Sequence, residues 1–167
     1  MENAQNVRNA YLLVHSVKHN IHLNTAVGST DEIKADINQP NYLASVGKLF
    51  TATIIGILYE RGQLDFNDTI SKYLPAEILN GLHNFKGNDY SASITIRHLL
   101  MQTSGLYDIF YDLLENMIKD PEFKITPREA IARGKEELKP VSIPGKKHFY
   151  TDTNYYLLGL IIENITG

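Results

Sequence analysis

Apolar residues alternate with polar ones at the start of the chain and then change period. The run Ala10 to Val17 is β-branched and aromatic, and Ile21, Leu23, Thr25 and Val27 alternate with His22, Asn24 and Ala26, so two strands are expected. Polar Lys18-His19-Asn20 between them predicts a hairpin turn, and Asp31 to Pro40, polar and without period, reads as loop. From position 44 the spacing becomes helical. Val46, Leu49, Phe50, Thr53, Ile54, Ile57 and Leu58 recur every three or four residues, and Ala44, Ala52 and Ile55 add apolar surface off that face. A helix apolar on more than one side is expected to lie at the centre of a fold, and Gly62 marks its end.

Further elements follow from their boundary signals. Asp68 is a candidate cap for a short helix closed by Pro75, and residues 80–93, rich in Gly, Asn, Asp and Ser, read as a surface loop. Thr95 caps a short helix reaching Gln102, and a helix from about Tyr107 to Lys119 stops before Pro121. Thr126-Pro127-Arg128-Glu129 is a capping box with proline at the first helical position, which starts a helix to about Leu138. Asp152 or Thr153 caps a last helix ending at Gly167. The fold class is therefore α+β: an N-terminal β-hairpin at 10–28 and a mostly helical region at 41–167, read as one domain.

Composition narrows the function. The chain has 167 residues, 43% hydrophobic, with 16 basic against 19 acidic side chains and no cysteine. Disulfides, cysteine-based zinc sites and a cysteine nucleophile are excluded. The net charge of -3 and scattered lysines argue against nucleic acid as a partner. No window approaches the roughly 18 consecutive apolar residues of a membrane span. Met1 to Asn6 has neither a basic nor an apolar leader region, so no signal peptide is expected in these residues and the compartment stays open.

Candidate chemistry centres on Ser45-Val46-Gly47-Lys48, an SxxK spacing at the start of the long apolar helix. Positions three apart share a helix face, so the Lys48 amine reaches the Ser45 hydroxyl, and a serine in the first turn sits beside unpaired backbone N–H groups that favour an oxyanion. A lysine flanked by apolar residues is expected to be desolvated, which lowers its proton affinity and makes it a base. His98, among Ile96, Leu99 and Leu100, reads as a packing residue, and His148 as a loop imidazole two residues from Tyr150. His15, His19 and His22 cluster on the hairpin without metal-ligand geometry, and neither a metal nor a cofactor is expected. Phe50, Phe66, Phe110 and Tyr155 read as core or cleft wall.

The sequence resembles the serine β-lactamase and penicillin-binding-protein superfamily, nearest the class C β-lactamase, D-Ala-D-Ala carboxypeptidase and esterase branch. SVGK at 45–48, the following helix to Pro75, TIRHLLMQTSGL at 95–106 and YTDTNYYLLGLIIENITG at 150–167 carry the resemblance in order. It implies Ser45 as an acylated nucleophile, Lys48 as the lysine that shares its proton, and Tyr150 as the tyrosine that relays protons. Asp152 stands where the family has a substrate-binding Asn; a carboxylate beside Lys48 favours the protonated lysine and fits an esterase or peptidase relative better than a lactamase. The implied substrate is a small molecule or peptide: a lactam, a D-amino-acid peptide or an ester.

The family's third element, a Lys or His followed by Thr or Ser and Gly on a later strand, has no counterpart here, and the later sheet strands are expected to be missing from these residues. The expectation is an N-terminal portion of a β-lactamase-like domain, poorly active by itself, with a hairpin edge open to pairing with another chain. A non-catalytic remnant that binds cell-wall peptide is the alternative. Relatives are commonly exported to the bacterial envelope.

Overall fold

The structure, a computed structural model, describes residues 7–167. Two compact units divide at residue 44. The first holds a three-stranded antiparallel sheet of order β1-β2-β3, formed by β1 (Asn9–Ser16), β2 (Ile21–Thr30) and β3 (Ile33–Lys34). The predicted hairpin is present, with Asn20 at φ 51 in its turn and His15 opposite His22, their Nδ1 atoms 3.2 Å apart. The loop expected at 31–40 instead begins with a two-residue turn followed by the short strand β3. Asp31 and Glu32 both hold positive φ (49 and 68), the pattern of a two-residue turn whose twist returns the chain antiparallel, so Ile33 pairs with Thr30.

The second unit is helical: α1 (Lys48–Glu60), α2 (Ala76–Leu79), α3 (Ile96–Leu100), α4 (Phe110–Lys119), α5 (Pro127–Glu137) and α6 (Thr153–Thr166). The capping box at Thr126 forms as its sequence requires, with Thr126 Oγ1 accepting from Glu129 N–H while the Glu129 carboxylate accepts from Thr126 N–H at 2.8 Å. Thr95 caps α3 in the same way, and there His98 is the reciprocal partner: its Nδ1 accepts from Thr95 N–H at 3.2 Å. His98 is thus a helix-capping residue.

Two other boundary signals resolve differently. Asp68 does not cap the 3-10 turn Ile70–Lys72; its carboxylate takes the Lys72 ammonium, the Tyr73 hydroxyl and the Asp65 N–H instead, which holds its pKa at about 2. The segment at 80–93 is not all surface. It contains a hairpin of β4 (Asn84–Phe85) and β5 (Asn88–Asp89), and Leu82, His83 and Ser91 are buried. Lys86 at φ 50 and Gly87 at φ 84 form its turn, so a Gly- and Asn-rich stretch encodes a tight reversal with buried flanks.

The largest correction concerns α1. Most of the stripe expected to be central faces outward, with Leu49 66% and Phe50 60% exposed; of its members Leu58 is buried, together with Ile55, which lies off the stripe. The central element is α6, where Leu157, Leu158, Leu160 and Ile161 are buried together with Ile96 and Leu99 of α3 and Ile131 of α5. Apolar periodicity reports that a helix has apolar faces, not which one the rest of the described residues cover. A close approach between α5 and the loop before α4 depends on Gly134: a Cβ there would lie 2.1 Å from the Tyr107 ring, whose hydroxyl donates to Ile131 O at 3.0 Å.

These assignments predict a split in mutational cost. Leu158→Ala should lower stability by about 2–5 kcal/mol in urea unfolding, the range for a buried leucine left as a cavity. Leu49→Gln should change it by no more than about 0.5 kcal/mol, as for an exposed position. Equal losses at both sites would contradict the reassignment of the α1 faces.

Candidate active site

The SxxK segment is not one regular α-helix. Ala44–Gly47 forms a 3-10 turn and α1 starts at Lys48. With about three residues per turn, positions three apart eclipse, so the change of helix type keeps Ser45 and Lys48 on one side. Lys48 Nζ lies 3.4 Å from Ser45 Oγ. Ala44, immediately before the serine, holds a left-handed φ of 46, a conformation that costs a non-glycine residue on the order of 1 kcal/mol.

The second half of the site arrives from a distant loop and the start of α6. Lys48 Nζ donates to Asp152 Oδ1 at 2.5 Å, and these side chains are only 17% and 20% exposed. The same ammonium sits 5.0 Å from the Tyr150 ring centroid and 5.5 Å from that of Tyr155. Ser45, Tyr150 and Asp152 then line a cleft of about 180 Å³, joined by Asp108, Phe110 and Tyr111. The four residues singled out from the sequence therefore meet in one place. His148 is exposed and does not line this cleft.

The electrostatics correct one expectation. Burial alone pushes the Lys48 pKa down, as anticipated for a desolvated amine, but the hydrogen bonds and charges of Asp152 and Tyr150 outweigh it and hold the pKa above its ordinary 10.5. Lys48 is an ammonium at neutral pH. The Asp152 carboxylate contributes most to this, because a full negative charge at hydrogen-bond distance favours the charged form.

Residues that sequence reading did not single out as part of the site hold the Tyr150 segment. The Asp108 carboxylate accepts from Asp152 N–H at 3.1 Å, and Thr151 Oγ1 donates to Tyr107 O at 2.7 Å. The Gln102 side chain accepts from Thr151 N–H at 3.0 Å and from Asn154 Nδ2 at 2.5 Å, while Ser104 Oγ donates to Asn154 Oδ1 at 2.6 Å. Nothing local marks Gln102 or Asn154. They lie 52 residues apart and become partners only in the fold.

Because the folded pKa of Lys48 lies above the ordinary value of 10.5, this pairing adds stability that is fully present below pH 10.5 and is lost as pH rises through the folded pKa. Asp152→Asn should therefore make Lys48 titrate at lower pH than in the parent, followed by NMR of its Cε, and should shrink the stability difference between neutral and alkaline pH. An unchanged Lys48 titration would show that the carboxylate does not set its charge.

Comparison with known proteins bears on the family and the fold. The family model described as Beta-lactamase matches residues 9–167. The chain is 31% identical over 159 residues to Protein flp of Staphylococcus aureus (strain MW2), a match covering 87% of this chain and 28% of the relative. It is 34% identical over 127 residues to penicillin-binding protein 4* of Bacillus subtilis (strain 168), covering 75% of this chain and 25% of the relative. Among solved structures, the D-stereospecific amidohydrolase from a Streptomyces species superposes with a TM-score of 0.72 at 25% identity, over 88% of this chain and 42% of that one. The chain thus spans about a quarter of the length of these two sequence relatives. The α+β reading and the superfamily likeness both hold, and the chain belongs to the beta-lactamase family.

Proposed function

We propose that this chain carries the nucleophilic centre of a serine hydrolase that works through an acyl-enzyme. The observation that carries the reading is the placement of Ser45 Oγ 3.4 Å from the Lys48 ammonium, at a cleft that Tyr150 and Asp152 also line. Ser45 attacks the carbonyl of a lactam, a D-amino-acid amide or peptide, or an ester; the C–O bond to the serine forms, the leaving group departs, and water later releases the acyl group. The likeness to an amidohydrolase described as D-stereospecific supports an amide among these.

An ammonium cannot accept a proton, so Lys48 acts as a relay. As it takes the Ser45 proton it passes one of its own to Asp152 Oδ1 across the 2.5 Å contact, its charge is unchanged, and the carboxylate ends protonated. The persistent positive charge stabilises the developing alkoxide; Tyr150, which lines the same cleft, gives its proton to the leaving group and recovers one from the protonated Asp152 through Lys48, so the proton taken from Ser45 ends on the leaving group. Asp152 thereby has two roles, as proton acceptor and as a polar wall for substrate.

A second reading, a non-catalytic module that binds cell-wall peptide, is favoured by the same Lys48–Asp152 pair if it locks the amine instead of relaying through it. A fluorophosphonate or fluorescent penicillin probe separates the two. Covalent labelling that maps to Ser45, disappears in Ser45→Ala and falls by about 10²–10⁴-fold in Lys48→Met is expected for the hydrolase, the range for losing a positioned proton-transfer group. Folded protein that takes up neither probe would sink the catalytic reading.

A further inference from the structure

Tyr150 is an unusual candidate for a catalytic phenol because its own side chain does little to fix it. It is 48% exposed, and the residues before it, from Gly145 to His148, are exposed as well. A residue with so little packing must be placed by its backbone. Both peptide N–H groups that flank it end on one residue. Phe149 N–H donates to the main-chain oxygen of Gln102 at 2.8 Å, and Thr151 N–H donates to the Gln102 side-chain Oε1 at 3.0 Å.

Gln102 is buried, and its backbone is in the left-handed region at φ 56. L side chains are disfavoured there, and three residues later, where the chain returns to positive φ, the residue is Gly105 (φ 75), whose added Cβ would meet Ser142 O at 2.0 Å. At position 102 no such crowding demands a glycine, yet the conformation does favour one. What a glycine would lack is the Oε1 that receives Thr151 N–H and Asn154 Nδ2. An unfavourable backbone state retained beside a reacting group points from strain to function.

We infer that Gln102 is a positioning residue for the chemistry at Ser45: it pins the peptide groups on either side of Tyr150 to one buried point and so sets the phenol, and through Thr151 the Asp152 carboxylate, against Lys48. The inference rests on the reading of Ser45, Lys48 and Tyr150 as a reacting set. Gln102 touches neither Ser45 nor Lys48 and acts only through the segment it holds. Its unpaired Nε2 takes no part, since only the oxygen of the amide is used. An acceptor at this position is therefore the requirement, and an amide as such is not.

That distinction supplies the test. Gln102→Leu keeps the bulk and removes the acceptor; Gln102→Glu keeps two acceptor oxygens; Gln102→Asn, one methylene shorter, serves if the leucine variant does not fold. Each is measured as folded protein in two ways, by the rate of fluorophosphonate labelling at Ser45 and by NMR titration of Lys48. Gln102→Leu, or Gln102→Asn in its place, should slow labelling by about 10²-fold, the scale of a 1 Å misplacement. It should also move the Lys48 titration to lower pH as Asp152 and Tyr150 withdraw, and Gln102→Glu should return both readouts close to the parent.

Labelling by Gln102→Leu at the parent rate, or failure of Gln102→Glu to restore it, would overturn the inference while leaving the Ser45 reading intact. If the parent itself takes no probe, the Ser45 reading falls, and the Lys48 titration alone decides for Gln102. A downward shift in the leucine variant that the glutamate variant reverses supports its positioning role, and an unmoved titration refutes it.

Discussion

The buried polar ladder Ser104–Asn154–Gln102–Thr151 is the constraint on which the helical unit depends. Such groups can leave water only if they find one another, because an unpaired buried amide or hydroxyl costs on the order of 1–3 kcal/mol. The ladder joins the turn after α3 to the first residues of α6, the helix around which the apolar core is assembled. The same few bonds therefore fix the central helix and the approach of the Tyr150 segment to Lys48. Core and site are built on one set of interactions, so disturbance of either is felt by the other.

At the site itself the decisive quantity is a balance between two opposing electrostatic effects. Burial disfavours a charged lysine, whereas a carboxylate at 2.5 Å favours it, and the second prevails. Replacing an amide by a carboxylate at position 152 changes only one functional group, but it converts a neighbour that can donate a hydrogen bond into one that can only accept and that carries charge. The protonation state of Lys48, and with it the route proposed for the Ser45 proton, follows from the carboxylate at position 152.

The first turn of the site shows how tightly local geometry is specified. A 3-10 turn rather than an α-helical one carries Ser45, and a left-handed alanine precedes it. Ser45 lines the cleft, and Lys48 follows three residues on with its Nζ 3.4 Å from the hydroxyl. The outward-facing apolar stripe of α1 is a separate property of that helix and involves the opposite requirement. Leu49 and Phe50 are exposed among the described residues, although their spacing alone would place them in a core.

Taken alone, the sequence determined the features that depend on near neighbours: both strands of the N-terminal hairpin, the cap at Thr95 and the capping box at Thr126, the helix periods, and the SxxK spacing that brings Ser45 to Lys48. Such features arise from interactions within a few residues, and short patterns encode them directly. Tertiary structure alone decided which face of α1 would be buried, that Leu82, His83 and Ser91 would lie inside a stretch of turn-forming composition, and that Gln102 would grip the chain on both sides of Tyr150. Each of these depends on contacts between residues remote in sequence, where burial and hydrogen-bond satisfaction are settled by what packs against what, a matter on which a one-dimensional pattern carries no information.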